Sequence, residues 1–284
     1  MGRTGSFHGE EDGVLPLEGG HSGGFRGSGR RDGNYARRVA RLLVVVPSET
    51  DPPARLGAWL AQAGLELDER RPGAGDDLPE TLDGFDGLLV LGGPQSAMDD
   101  ERTSPELVGV RRLLAEALAG DVPTLAVCLG AQLLAEVGGG RVREGVDGPE
   151  VGATLVAKRD AADADPLFRP LPLSPDVIQF HHDEIAELPH GATLLASNPA
   201  YPHQAFRVGR HVYGLQFHIE TTPEIVVQWA EQDTVGVAAS GLDRETICAR
   251  AAAVHPDLEE AWAPFAGRFA DLVRSRATAA VGTA

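Results

Sequence analysis

Three uninterrupted apolar runs, each closed by glycine, proline or cysteine, set the pattern of the first half of the chain. "VARLLVVVP" at 39–47 reads as a buried strand, and "PPARLGAWLAQAG" at 52–64 as an amphipathic helix closed by Gly64. "DGLLVLGGP" at 86–94 is a second buried strand running into a glycine turn. A helix follows, with Ser104 expected as N-cap, Pro105 in the first turn, Glu106 near the positive end of the dipole and Gly120 at the close. "PTLAVC" at 123–128 is the third buried strand, and "GAQLLAEVGGG" at 130–140 a short helix stopped by glycines. Apolar strands alternating with helices predict an α/β fold, an open and mostly parallel sheet covered on both faces. The ligand site of such a sheet lies beyond the carboxyl ends of its strands, where both "LGGP" and Cys128 fall.

After Arg141 the texture turns β-like. "EVGATLVAKR", "ATLLAS" and "QAFRVGRHVYGLQF" read as strands, the last a hairpin turning at Gly209-Arg210. Thr222-Pro223-Glu224 opens the helix "PEIVVQWAEQ". From about residue 243 one or two further helices are expected, with Trp262, Phe265, Phe269 and Leu272 at helical spacing as packing residues. Residues 1–38 stand apart. They are rich in Gly and Arg, lack periodicity and bury too little to offset their ordering entropy, so a disordered leader is expected there. The organisation expected is therefore this leader, a domain over 39–232 and a helical C-terminal extension over 233–284 packed on it.

Composition narrows the function classes. The chain is 42% hydrophobic and 24% charged, as in globular proteins, with no apolar run of bilayer length and no secretory h-region. Its two cysteines suit a reducing cytoplasm, the expected location. The net charge of −17 argues against a nucleic-acid partner. A single lysine, Lys158, followed by arginine, excludes a Walker A loop.

The candidate chemistry begins at Cys128, at the end of a strand with Gly130 two residues on. A nucleophile elbow needs small neighbours, and a helix N-terminus behind it favours thiolate. A buried structural cysteine fits the same letters. In "LQFHIE", His218 and Glu220 stand two apart. If that segment is extended they share a face, and Glu220 can hold the imidazole while His218 exchanges a proton with sulfur. An ordinary strand histidine is the alternative. The amides of Gly93 and Leu129 could cradle an oxyanion, although a plain glycine turn also explains "LGGP". Gln132 lies one helical turn past Cys128, facing the same mouth or solvent. His181-His182-Asp183-Glu184 contains metal-ligating types, but adjacent side chains do not readily converge on one ion. No metal site and no cofactor are expected.

The order and positions of "GGPQSA", "CLGAQLLAEVGGGRV" and "GLQFHIE" resemble the class I, triad-type glutamine amidotransferases. "QFHHDEIAELPHGATLLASNPAYPHQAF" is similar to the glutaminase half of GMP synthases and their stand-alone bacterial relatives. The resemblance spans roughly residues 41–232. It implies a flavodoxin-like sheet, with Cys128 as nucleophile, His218 as acid/base and Glu220 as its orienter. It further implies Gly93 and Leu129 as oxyanion donors, and Gln132 and the surroundings of His181 as contacts to glutamine, with Asp183 a neighbour. The implied activity is hydrolysis of the glutamine side-chain amide, with ammonia passing to a separate synthetase or acceptor subunit. A stand-alone γ-glutamyl amide or peptide hydrolase, and a non-catalytic glutamine-sensing module, are the alternatives. Ala126 and Ile219 replace the family's usual Gly and Pro, and His182 stands where Gly is common. The phosphate loop of a synthetase has no counterpart beyond "SGGFRG" at 22–27.

Overall fold

The computed structural model describes residues 38–281, together with Gly2. The expected leader over 1–38 lies outside the described residues apart from Gly2 and Arg38.

Buried alternation builds the sheet. In β1 (Arg41–Val45), Leu42 and Val44 face one hydrophobic cluster, and Leu43 and Val45 face the other. β3 (Gly87–Val90) and β4 (Thr124–Val127) divide their side chains in the same way. This is the period-two signature of a strand covered on both faces. α1 (Ala54–Gln62) contributes Leu56 and Leu60 to the first cluster. α2 (Glu106–Gly120) and α3 (Leu129–Val137) supply the second. Residues 66–70 form β2 (Glu66–Arg70), whose polar letters "ELDER" carry no strand pattern. It is an edge strand, parallel to β1, and Arg41 and Arg70 pair with Asp68 along it.

Further along lie β5 (Arg141–Glu144), β6 (Glu150–Leu155), β7 (Ala157–Lys158), β8 (Asp176–His181), β9 (Asp183–Glu187), β10 (Thr193–Ser197), β11 (Ala205–Val208) and β12 (Val212–Leu215). The main sheet runs β2-β1-β3-β4-β12-β11-β10-β7. It is parallel from β2 to β12 and antiparallel from there to β7. β11 and β12 form the hairpin expected at Gly209-Arg210. β5–β9 and β6–β8 are separate antiparallel pairs.

The chain closes with α4 (Pro223–Gln232), α5 (Thr234–Ala239) and α6 (Arg244–Val281). α6 is one helix that passes through Pro256 and Pro264. Trp262, Phe265 and Phe269 are buried in the first cluster, with Leu272 partly buried against it, and Trp262 Nε1 donates to the Asp176 carbonyl at 2.9 Å.

Two helix ends depart from expectation. The Ser104 hydroxyl donates to Asp99 Oδ2 at 2.7 Å and caps no α2 amide. At the far end the left-handed residue is Asp121 (φ 47°), one past Gly120. Its carboxylate accepts from the amides of Arg210 and His211, which ties the helix end to the hairpin.

Candidate active site

Cys128 stands between β4 and α3 with φ 51° and ψ −111°, a left-handed conformation that non-glycine residues adopt at a cost of about 1–3 kcal/mol. Its amide donates to the Leu215 carbonyl at 2.8 Å, and its own carbonyl accepts from the Gln132 amide at 3.0 Å. The requirement for Gly130 is one of space. A Cβ there would lie 2.5 Å from the Val90 carbonyl oxygen, so glycine lets α3 begin directly over the end of β3. Beside it, a Cβ on Gly93 would lie 3.2 Å from Leu129 Cδ2, so the two expected oxyanion residues are neighbours.

His218 and Glu220 meet, though not on a regular strand. β12 ends at Leu215; past it the Gln216 amide donates to the Gln204 carbonyl, and a single bridge then joins His218 to Ile178 of β8. His218 is 1% exposed, and its Nδ1–H donates to Glu220 Oε1 at 2.6 Å. The second oxygen of Glu220 accepts from the Ile219 amide at 2.9 Å, and its main-chain carbonyl accepts from the Arg55 amide at 3.0 Å. With Nδ1 carrying its hydrogen toward a carboxylate, Nε2 is the nitrogen left to exchange a proton. Burial alone disfavours the charged ring. The Glu220 carboxylate and the Cys128 sulfur beside it outweigh that cost and hold the His218 pKa well above the ordinary histidine value. The Cys128 sulfur also lies 4.0 Å from the Phe180 carbonyl oxygen. Cys128, His218 and Glu220 are thus neighbours around the imidazole ring.

A pocket of about 490 Å³ opens over Cys128, with Gly93, Gln132, His181 and Asp183 in its wall. Gln132 is buried, and its amide nitrogen is engaged with the Asp183 carbonyl at 3.0 Å and Gln216 Oε1 at 3.3 Å. Both ring nitrogens of His181 face acceptors, the Asp183 carbonyl at 2.9 Å and Glu150 Oε2 at 3.1 Å. Glu150 also accepts from Asn198 and Gln204, so a buried polar network supports this wall from behind. The residues of the His181–Glu184 run go to separate partners. His182 meets Asp233 at 2.7 Å at the pocket mouth, Asp183 accepts from Ser96, and Glu184 pairs with Arg143. Among the described residues no three His, Cys, Asp or Glu side chains are grouped to hold a metal ion.

Four residues that the sequence reading does not single out, Thr50, Asp51, Phe180 and Trp229, also line the pocket. The Trp229 ring lies 4.6 Å from that of His218 and 5.4 Å from that of Phe180, and its Nε1–H donates to the Thr50 carbonyl at 2.9 Å. Asp51 comes after β1, so the rule that ligand sites gather at strand carboxyl ends would have pointed to it. Trp229, on α4, gave nothing to set it apart from packing.

Residues 62–227, more than half of the chain, match the profile of the family described as glutamine amidotransferase class-I. The chain is 29% identical over 198 residues to the glutamine amidotransferase-like protein YfeJ of Salmonella typhimurium, covering 68% of this chain and 82% of that one. It is 36% identical over 144 residues to a glutamine-hydrolyzing GMP synthase of Porphyromonas gingivalis, covering 50% of this chain and only 26% of the synthase. Gamma-glutamyl peptidase 3 of Arabidopsis thaliana is 30% identical over 150 residues, covering 52% of this chain and 59% of the peptidase. The crystal structure of a glutamine amidotransferase from Thermotoga maritima superimposes with a TM-score of 0.73 at 27% identity, over 82% of this chain and 99% of that one. The chain belongs to the class-I glutamine amidotransferase family.

Proposed function

We propose that the chain hydrolyses the side-chain amide of glutamine through a γ-glutamyl thioester on Cys128. The observation that carries this reading is the hydrogen-bonded His218–Glu220 pair coupled to a cysteine held in a strained turn at the floor of a pocket. The thiol proton rests on His218 Nε2, and the thiolate sulfur attacks the side-chain carbonyl carbon. The amides of Gly93 and Leu129 stabilise the resulting oxyanion. Collapse breaks the carbon–nitrogen bond, and His218 returns the proton to nitrogen, so ammonia leaves. A water then gives a proton to His218 and attacks the thioester. The carbon–sulfur bond breaks, sulfur leaves as thiolate beside the protonated His218 and glutamate departs. Gln132 and the wall around His181 position the glutamyl group. Glu220 keeps the imidazole in the required tautomer throughout.

The ammonia would pass to a separate synthetase or acceptor subunit in a reducing cytoplasm. Among the described residues no helix is long and apolar enough to cross a membrane. A second reading, hydrolysis of γ-glutamyl amides or peptides by the same residues, is favoured by a pocket of about 490 Å³ whose wall includes Thr50, Phe180, Trp229 and Asp233 besides the residues assigned to glutamine. Glutamine and a γ-glutamyl amide and peptide panel, assayed on the purified chain, separate the two. Cys128→Ala should abolish turnover of every substrate while leaving the circular dichroism spectrum unchanged. Retained turnover in a folded variant removes Cys128 from the mechanism. A glutamine-like electrophile that leaves Cys128 unmodified would point instead to a non-catalytic glutamine sensor.

A further inference from the structure

The residues proposed for catalysis do not account for a second carboxyl group beside His218. Asp51, in the loop between β1 and α1, is 7% exposed and lines the pocket. A Cβ built on Gly92 would lie 2.7 Å from Asp51 Oδ1 and 3.2 Å from His218 Cε1. The carboxylate and the imidazole therefore face each other across a residue without a side chain, within about 6 Å. The other oxygen of Asp51 accepts from the Thr50 hydroxyl at 2.6 Å, and Ser48 Oγ lies 2.7 Å from that hydroxyl. The loop is tied to the site at the Thr50 carbonyl, which accepts from Trp229, and just past its end, where the Arg55 amide of α1 donates to the Glu220 carbonyl. Between them Ala54, the first residue of α1, adopts φ 34°, a left-handed conformation held by contacts on both sides.

We infer that Asp51 is a positioning residue, a second acidic partner that favours the charged form of His218 from its Cε1 edge while Glu220 holds Nδ1. The inference rests on the reading of His218 as the acid/base. The groups facing His218 are Glu220 on its own segment, Cys128 at the start of α3, Asp51 after β1, and the uncharged Trp229 ring of α4. Ile178 of β8 contributes only main-chain hydrogen bonds. Burial lifts Asp51 above the ordinary aspartate range. His218 and the Thr50 hydroxyl pull it back down, and Glu220 adds to the rise. A buried carboxyl group with one hydroxyl partner and an imidazole in front of it gains most of its compensation from that imidazole. The chemical consequence concerns proton delivery. A second negative charge near the ring stabilises the imidazolium that must wait, loaded, until the carbon–nitrogen bond breaks.

The test reads the proton on His218 directly. In protein labelled with ¹³C and ¹⁵N at histidine, the His218 signals are identified by their loss in His218→Asn, and their titration is followed with pH. Asp51→Asn should move the His218 titration to lower pH, and Asp51→Glu should restore part of it. An unmoved titration in folded Asp51→Asn overturns the inference. Should Asp51→Asn fail to fold, Gly92→Ala serves instead. Its methyl group forces carboxylate and ring apart while keeping the charge, so the same acid shift is expected, and its absence overturns the inference equally. The titration needs no turnover, so a wild-type chain inactive on every substrate would defeat the glutaminase reading and leave this measurement intact. In an active enzyme the alkaline limb of the kcat profile should move with the titration.

Discussion

Gly130→Ala tests whether the start of α3 is as tightly set as the site requires. The added Cβ would stand 2.5 Å from the Val90 carbonyl oxygen, 3.0 Å from its carbon and 3.1 Å from Val90 Cγ1. Two of these three atoms are main chain in a central strand, so no side-chain rotation relieves the contact. Restoring an ordinary 3.4 Å separation needs α3 and β3 to part by about 0.9 Å. Alanine gains up to about 1 kcal/mol of helix propensity over glycine, and less in a first turn. Overpacking of this kind costs about 1–3 kcal/mol, and an unyielding backbone partner places it in the upper half of that range. A net loss of about 1–2 kcal/mol is expected, read as a lower urea midpoint at unchanged slope. The effect on activity should be larger. The shift carries Cys128 and the Leu129 amide with it, and a misplacement of about 1 Å at a reacting centre costs on the order of 100-fold in rate. A variant as stable and as active as wild type would refute the reasoning, since it would mean that α3 slides without disturbing the nucleophile.

Glu220→Gln keeps an acceptor for the Ile219 amide but can present an amide N–H to His218 Nδ1, which would leave the hydrogen on Nε2 and block proton uptake from the thiol. The expected loss in kcat is about 10²–10⁴-fold with the fold retained, and an unchanged kcat would remove Glu220 from the mechanism. His255 of α6 donates from Nδ1 to the Ala251 carbonyl and accepts at Nε2 from the Thr221 hydroxyl, and burial lowers its pKa below the ordinary histidine value. The unfolded chain therefore takes up a proton there first, and this contribution to stability, full above the unfolded pKa, is lost as pH falls through and below about 6.5. Urea unfolding at about pH 7.5 and about pH 5.5 should show a smaller acid loss in His255→Gln than in wild type, and an equal loss in both would show that His255 does not carry it.

What the letters disclosed depended on whether a residue's role was local. The strands at 41–45, 87–90 and 124–127 bury both faces, so unbroken apolar runs marked them. β2 is held by its parallel pairing to β1 at a sheet edge, and "ELDER" hides it because an edge strand buries little and its partner lies elsewhere in the chain. The Ser104 cap failed for a similar reason, since Asp99 competes for the hydroxyl. Cys128 stood out at the end of a legible apolar run, and His218 and Glu220 by their two-residue spacing in "LQFHIE". Asp51 and Trp229 did not, because nothing within five residues of either tells which distant group it will face.

The strain at Cys128 ties these two kinds of information together. A left-handed cysteine costs about 1–3 kcal/mol, and the two hydrogen bonds of its own main chain contribute about 0.5–1.5 kcal/mol each. Those bonds offset the strain but leave little margin, so the helix behind the turn must also hold it in place. Leu129 to Ala135 are buried without a break, and Gly130 seats that helix against Val90. The sulfur is thus fixed by local sequence. The imidazole proposed to act with it is not, because His218 lies past the end of β12, outside regular pairing. Its place depends on β8 through Ile178, on α4 through Trp229, on α1 through the Arg55 amide at the Glu220 carbonyl, and on the Asp51 loop across Gly92. Substitutions under α3 should therefore impair attack by the thiol. Substitutions in the Asp51 loop or α4 should leave the elbow intact and impair proton transfer, so that the two groups separate by pH profile.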